Sequence, residues 1–194
     1  MLGGSLDRRA AVACLLHDRK DLLVVTGLGS PAYDVMAAGD HANNYYLWAA
    51  MGSAAMVGLG LANAQPEKSV LVVTGDGELM MGLGGLATIA VQKPKNLTIA
   101  VIDNGHFGET GMQASHAGLG VEISAVAASL GFSWTGVITD MAGIEALRGR
   151  LDDRSGVRLA TLKVKAENAP RVLPPRDGVH IKNRFRAALG FQPV

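Results

Sequence analysis

Apolar residues in this chain fall in short dense runs, and the segments between those runs carry a helical period or are rich in glycine. Residues 5–17 read as a helix, with Ser5 as a candidate cap and Leu6, Ala10 and Cys14 on one side. Residues 22–26 form a short buried strand that ends in Gly27-Leu28-Gly29-Ser30-Pro31, a turn or ligand-facing loop. Residues 31–48 show no clear period and read mostly as loop. A small-residue helix is predicted over 52–64, then a strand over 69–74 and a helix over 79–91 stopped by Lys93-Pro94. The next strand covers 97–102 and is followed by a long loop. Helices at 123–130 and 141–151 then alternate with strands at 132–137 and 157–164. Residues 168–177, with three prolines, read as extended, and 179–189 as a basic closing helix.

The order strand, helix, strand, helix points to a parallel sheet. The runs at 70–74 and 97–102 are continuous rather than alternating, which suits a sheet covered on both faces. The expected fold class is α/β: a single doubly wound domain over 1–194, with 165–194 a basic C-terminal extension ending in a helix. Ligands are expected beyond the carboxyl ends of the strands.

Composition narrows this picture. With 48% apolar but only 5% aromatic residues, the core must be built from aliphatic side chains and methionine. The single cysteine, Cys14, excludes an intrachain disulfide and a Cys-rich metal site. No stretch reaches the roughly 18 apolar residues of a membrane span, and MLGGSLDRRA has no apolar signal core. A soluble cytoplasmic protein is expected. The net charge of +1 hides a basic C-terminal part, with seven Lys/Arg against two Asp/Glu from Lys163 onward. That part lacks the interleaved aromatics of a single-strand binder, so nucleic acid is not an expected partner.

The chemistry concentrates at two strand ends. Gly75-Asp76-Gly77-Glu78 directly follows the run at 70–74, and Asp103-Asn104 directly follows the run at 97–102. On adjacent strands, the carboxylate of Asp76 and the carboxamide of Asn104 come within reach of one ion, and hard oxygen donors of low charge suit Mg²⁺. Gly77 omits a side chain where a diphosphate would approach, and the following helix offers free N–H groups to the anion. A Gly-Asp-Gly by itself is an ordinary turn. The second element 28 residues on makes the pair informative. No Gly-Lys-Ser/Thr follows the first strands, which argues against a nucleotide P-loop, and Gly27-Leu28-Gly29 lacks the third glycine of a dinucleotide site.

The segments GDGELMMGLGGLATIA and KNLTIAVIDNGHFGETGMQASH resemble the cofactor motif of the thiamine diphosphate (ThDP) decarboxylase superfamily. That motif begins with GDG and ends with NN after an apolar strand. YYLWAAMGSAAMVGLGLA is similar to the superfamily's aminopyrimidine-gripping segment. Within the superfamily the likeness, over about residues 20–165, is to the phosphonopyruvate decarboxylases and the β subunits of sulfopyruvate decarboxylases. An acetolactate-synthase-like carboligase is the alternative.

The resemblance implies that Asp76, Asn104 and the carbonyl of His106 bind Mg²⁺. It implies that Gly75, Gly77 and Glu78 line the diphosphate, that Ala49 meets the aminopyrimidine, and that Met51 is the wedge that bends the cofactor. It also implies a ThDP- and Mg²⁺-dependent carboxy-lyase subunit acting on a small acidic 2-oxo acid, with sulfopyruvate giving sulfoacetaldehyde and CO₂. The catalytic glutamate and the pyrimidine-binding domain are expected on an α-subunit partner in a hetero-oligomer. Asp103 departs from the common Asn-Asn, which leaves its role open. His106 and His116, in the loop after the motif, are the catalytic candidates for binding the substrate or moving a proton. A solvated loop histidine is the alternative for each. Arg171, Arg176, Lys182, Arg184 and Arg186 are either anion contacts or an exposed basic face.

Overall fold

The strands bury both faces, which is why their apolar runs show so little alternation. In the computed structural model, which describes residues 4–192, the chain begins with α1 (Arg8–Leu16), β1 (Leu23–Thr26), α2 (Ser30–Ala37) and β2 (Asn44–Tyr46). It continues with α3 (Ala54–Ala64), β3 (Val70–Gly75), α4 (Asp76–Met81), α5 (Gly84–Gln92) and β4 (Leu97–Asp103). A two-stranded hairpin follows, β5 (His106–Phe107) and β6 (Gln113–Ala114), and then α6 (Ile123–Ser129) and β7 (Trp134–Ile138). The last elements are α7 (Met141–Arg148), β8 (Arg158–Lys163) and α8 (Gly178–Ala188).

Six strands pair in parallel in the order β2-β1-β3-β4-β8-β7. Val24, Leu71, Val73, Ile102 and Leu162 pack on one face with residues of α1, α2 and α7. Leu23, Val25, Val72, Ile99 and Val101 pack on the other with residues of α3, α5 and α6. Each such side chain contributes about 1.5–3 kcal/mol by leaving water, so the two layers together specify which strand lies where. The α/β expectation is met.

Strand order also locates the site. After β1 the chain moves to β2 on one side, and after β3 it moves to β4 on the other. The loops leaving β1 and β3 therefore diverge, and a crevice opens between them at the carboxyl ends.

Several expectations change. The cap of α1 is Asp7, which accepts the Ala10 N–H at 2.8 Å, while the Ser5 hydroxyl donates to the Thr139 carbonyl instead. Residues 31–48 are not mostly loop, because α2 and β2 lie within them. The helical pattern of α2 is masked by Asp34, which is fully buried and held by Arg8 and Arg9 of α1. The helix expected over 79–91 is two helices, and the first starts at Asp76 itself. It breaks at Gly82, whose Cα lies so close to the Gly52 backbone that a Cβ there would stand 1.9 Å from the Gly52 carbonyl oxygen. The long loop after β4 contains the β5–β6 hairpin.

The C-terminal extension lies against the rest of the protein. The Lys165 N–H donates to the Leu6 carbonyl, and Trp48 Nε1 donates to the Pro175 carbonyl at 2.6 Å. Helix α8 buries Ile181 and Phe185, and the Phe185 ring meets Tyr45 edge-on at 5.5 Å. Gly58 shows why α3 is rich in small residues: a Cβ there would stand 2.3 Å from Val72 of the sheet.

Candidate cofactor-binding site

A cavity of about 170 Å³ opens at the diverging strand ends. Leu28 and Ser30 after β1, Asp76 and Gly77 after β3, and Asn104 after β4 contribute to its walls, together with Met51. Complete small-molecule sites usually enclose about 300–1,000 Å³, so this cavity is smaller than a complete site of that kind.

Strand β3 passes into α4 without an intervening loop, which fixes Asp76 as the first residue of the helix. Asp76 is 2% exposed, and its Oδ2 accepts a short hydrogen bond from the buried Ser115 hydroxyl. Burial pushes its carboxyl up to about pKa 6; the Ser115 hydrogen bond opposes that rise and the charge of Asp103 adds to it. No ion pair reaches Asp76 among the described residues.

Asn104 is buried one strand over. Its Oδ1 accepts the His106 N–H at 2.9 Å, and His106 Nδ1 lies 2.7 Å from the Asn104 carbonyl oxygen. This tight turn fixes the carboxamide and leaves its oxygen a second lone pair. Among the described residues no group of three or more His, Cys, Asp or Glu is placed to hold a metal. A cation at this site would therefore rest on one carboxylate, on neutral oxygens and on oxygens brought by the ligand. That donor set suits a hard ion shared with a phosphate group, and the residues present fit a diphosphate cofactor.

Gly77 makes room for Phe107 of the hairpin, since a Cβ there would stand 2.3 Å from the ring. Glu78 contributes to the cavity wall, and its Oε1 accepts the N–H groups of Gly52 at 3.0 Å and Ala54 at 3.2 Å. Burial raises its pKa against the pull of those amides. One side chain thus ties α4 to the start of α3 and to the preceding segment. In that segment Ala50 has φ +63° and Gly52 has φ +88°, both left-handed. Ala49 and Ala50 are exposed, and Met51 is 40% exposed.

His106 is half-buried and reaches the cavity. His116 is exposed and outside the cavity wall, with its ring edge-on to Phe107 at 6.4 Å. Among the basic residues of the extension, Arg171 pairs with Glu109 and Arg184 with Asp40. Asp103, whose role the sequence left open, accepts the Gly105 N–H at 3.0 Å and pairs with Lys163 Nζ at 2.6 Å.

Arg8, Lys163 and Ser30 are the site residues that sequence reasoning missed as chemistry. Lys163 was not legible, because only the strand register sets it opposite Asp103. Arg8 had no local signal, because its partners Ser30 and Asp34 lie more than twenty residues away.

Residues 28–170 match the family described as thiamine pyrophosphate enzyme, C-terminal TPP binding domain. The chain belongs to this family. It is 35% identical over 180 residues to the sulfopyruvate decarboxylase subunit beta of Methanothermobacter thermautotrophicus, an overlap of 93% of this chain and 94% of that one. It is 34% identical over 185 residues to the sulfopyruvate decarboxylase of Methanosarcina acetivorans, covering 94% of this chain but 47% of that protein. The crystal structure of benzoylformate decarboxylase from Polynucleobacter necessarius shares the fold, with a TM-score of 0.72 and 16% identity over 85% of this chain. This chain spans only 34% of that structure's chain. Of the two sulfopyruvate decarboxylase relatives, one is thus a subunit of about this length and the other a longer chain. No helix among the described residues is long and apolar enough to cross a membrane.

Proposed function

We propose that this chain is the β subunit of a cytoplasmic sulfopyruvate decarboxylase, holding the diphosphate end of Mg²⁺–ThDP. The observation that carries this reading is the buried Asp76, without an ion-pair partner among the described residues, beside Asn104 in a cavity of about 170 Å³. Asp76, the Asn104 carboxamide and the His106 carbonyl hold the Mg²⁺, and the backbone of Gly75, Gly77 and Glu78 lines the diphosphate. Asp76, whose charge burial makes unfavourable, would be relieved by a bound cation, and Ser115 holds that carboxylate in position. Glu78 fixes the segment that presents the Ala49 carbonyl and the Met51 wedge.

When bound, ThDP supplies the electron sink into which the bond to the departing CO₂ breaks. The acceptor beside His106 Nδ1 is the Asn104 carbonyl oxygen, so Nδ1 carries the proton and Nε2 is the basic nitrogen. His106 is accordingly the histidine placed to exchange a proton with substrate, ahead of His116 at the surface.

Exposed Met51, in the cavity wall, gives the site an apolar rim, and exposed Met56 and Met81 lie on the neighbouring helices α3 and α4. An α subunit with the pyrimidine-binding domain and the catalytic glutamate would cover that rim in a hetero-oligomer. The relative named as a β subunit, and the longer relative of which this chain covers under half, support this reading.

The test is to reconstitute the chain with its partner, Mg²⁺ and ThDP and assay sulfopyruvate, phosphonopyruvate, pyruvate and hydroxypyruvate by the aldehyde released. Sulfopyruvate should be preferred, and the chain alone should be inactive. A preference for phosphonopyruvate would reassign the substrate. Acetolactate as the main product from pyruvate would overturn the decarboxylase reading.

A further inference from the structure

Among the described residues, the cavity that holds Asp76 and Asn104 has only one Lys or Arg in its lining, and that residue comes from outside the segment that matches the family. It is Arg8, the first residue of α1, and it is 5% exposed. Arg8 Nη1 donates to the Ser30 hydroxyl at 2.8 Å, and Nε lies 3.0 Å from Asp34 Oδ2. Asp34 is shared, because Arg9 Nε lies 3.2 Å from its other oxygen. Arg8 therefore does not have a carboxylate to itself: it shares Asp34 with a second guanidinium. The nearby Glu109, which also lines the cavity, is paired with Arg171 at 2.9 Å. A guanidinium in a cavity wall that shares its counter-charge gains from a second anion arriving there. Ser30, on the same wall, begins α2, whose N-cap Gly29 makes no side-chain capping bond.

We propose that Arg8 is the cation that receives the terminal phosphate of the cofactor, an assignment that rests on the ThDP reading above. A diphosphate would then be gripped at both ends, by the metal held at Asp76 and Asn104 and by a guanidinium delivered by α1. The planar fork of arginine is suited to this, because Nε and Nη1 can stay on Asp34 and Ser30 while Nη2 addresses a phosphate oxygen.

The test is calorimetric titration of the reconstituted complex with Mg²⁺–ThDP and, separately, with Mg²⁺–thiamine monophosphate, which lacks the terminal phosphate. Arg8→Gln leaves Asp34 its pair with Arg9, so the fold keeps a partner for that carboxylate. It should weaken ThDP by about ten- to a hundredfold, the loss of one charge-assisted contact, and change the monophosphate little. Arg8→Lys, which keeps the charge but not the fork, should lie between. Ser30→Asp offers a second route: an acid is favourable in the first turn of α2 and satisfies Arg8 internally, so it should displace the phosphate and weaken ThDP at least tenfold.

Equal losses for both ligands in Arg8→Gln would assign Arg8 to structure and overturn the proposal. Unchanged ThDP affinity in either Arg8→Gln or Ser30→Asp would do the same. Unchanged ThDP affinity with a raised KM for the acidic substrate would move the cation to the substrate's acid group. Failure of the unaltered complex to bind ThDP at all would remove the functional reading itself, and so is distinguishable from failure of the Arg8 assignment.

Discussion

The carboxyl ends of β3 and β4 each bury an aspartate, and the structure treats the two differently. Asp103 is 3% exposed and is met by Lys163 at 2.6 Å and by the Gly105 N–H, so its charge is balanced within the chain. Asp76 is 2% exposed and has the Ser115 hydroxyl but no ion-pair partner among the described residues, and burial pushes its carboxyl up to about 6. The same residue type at equivalent places in neighbouring strands is thus finished in one case and unfinished in the other. A buried carboxylate that lacks a built-in cation, in the wall of a cavity, is where an external cation gains most.

The largest expected effect tests the unfinished end. Asp76→Ala should weaken Mg²⁺–ThDP by more than about a hundredfold, beyond the loss typical of a residue one shell out from a metal. Calorimetry with and without Mg²⁺ checks it, and wild-type affinity in this variant would dissolve the contrast. At the finished end, Lys163→Met strands a buried Asp103 and should destabilise the protein by about 3–5 kcal/mol. The lower end is expected, because Lys163 is 24% exposed. Adding Asp103→Asn to that variant should restore most of the loss in urea unfolding. An unrestored double variant would mean that the pair does more than balance charge.

The pH dependence sharpens the same comparison. In the metal-free protein Asp76 keeps its proton up to about pH 6, whereas the unfolded chain releases it near 3.8. The native state therefore holds the extra proton across that window, and stability falls as pH rises through it. Asp76→Asn cannot ionise and should stabilise the metal-free protein by up to about 3 kcal/mol at pH 8 and hardly at all at pH 4. Denaturant unfolding at the two pH values measures this.

A smaller effect is expected at Glu78, which spans both parts of the site. Glu78→Ala should cost about 1–3 kcal/mol by leaving the Gly52 and Ala54 amides without their acceptor, and Glu78→Gln should recover much of it. Thermal unfolding of both variants decides the point. Smallest of all, His116→Ala should change KM for sulfopyruvate by less than about twofold, because its ring lies outside the cavity wall. A large rise in KM would return His116 to the substrate pocket.

The strand–helix order, the two-faced burial of the sheet and the placing of Gly75-Asp76 and Asn104 at strand ends were all legible in the sequence. These features are local: a continuous apolar run is a strand buried on both faces wherever it occurs, and a polar pair directly after it falls at the strand's carboxyl end. Helix α2 was hidden because Asp34 breaks its apolar pattern, and only the arginines of α1 explain a carboxylate inside the protein. The helix break at Gly82 was hidden for a similar reason, since its cause is the Gly52 backbone thirty residues earlier.

The sequence by itself determined the fold class and the strand-end places of Asp76 and Asn104, because periodicity and strand-end position depend on near neighbours along the chain. Tertiary structure alone decided which aspartate is neutralised, which histidine reaches the cavity and that a buried arginine from α1 stands in its wall. Those outcomes depend on distances between residues far apart in sequence, and burial makes each such distance worth several kcal/mol to a charged group.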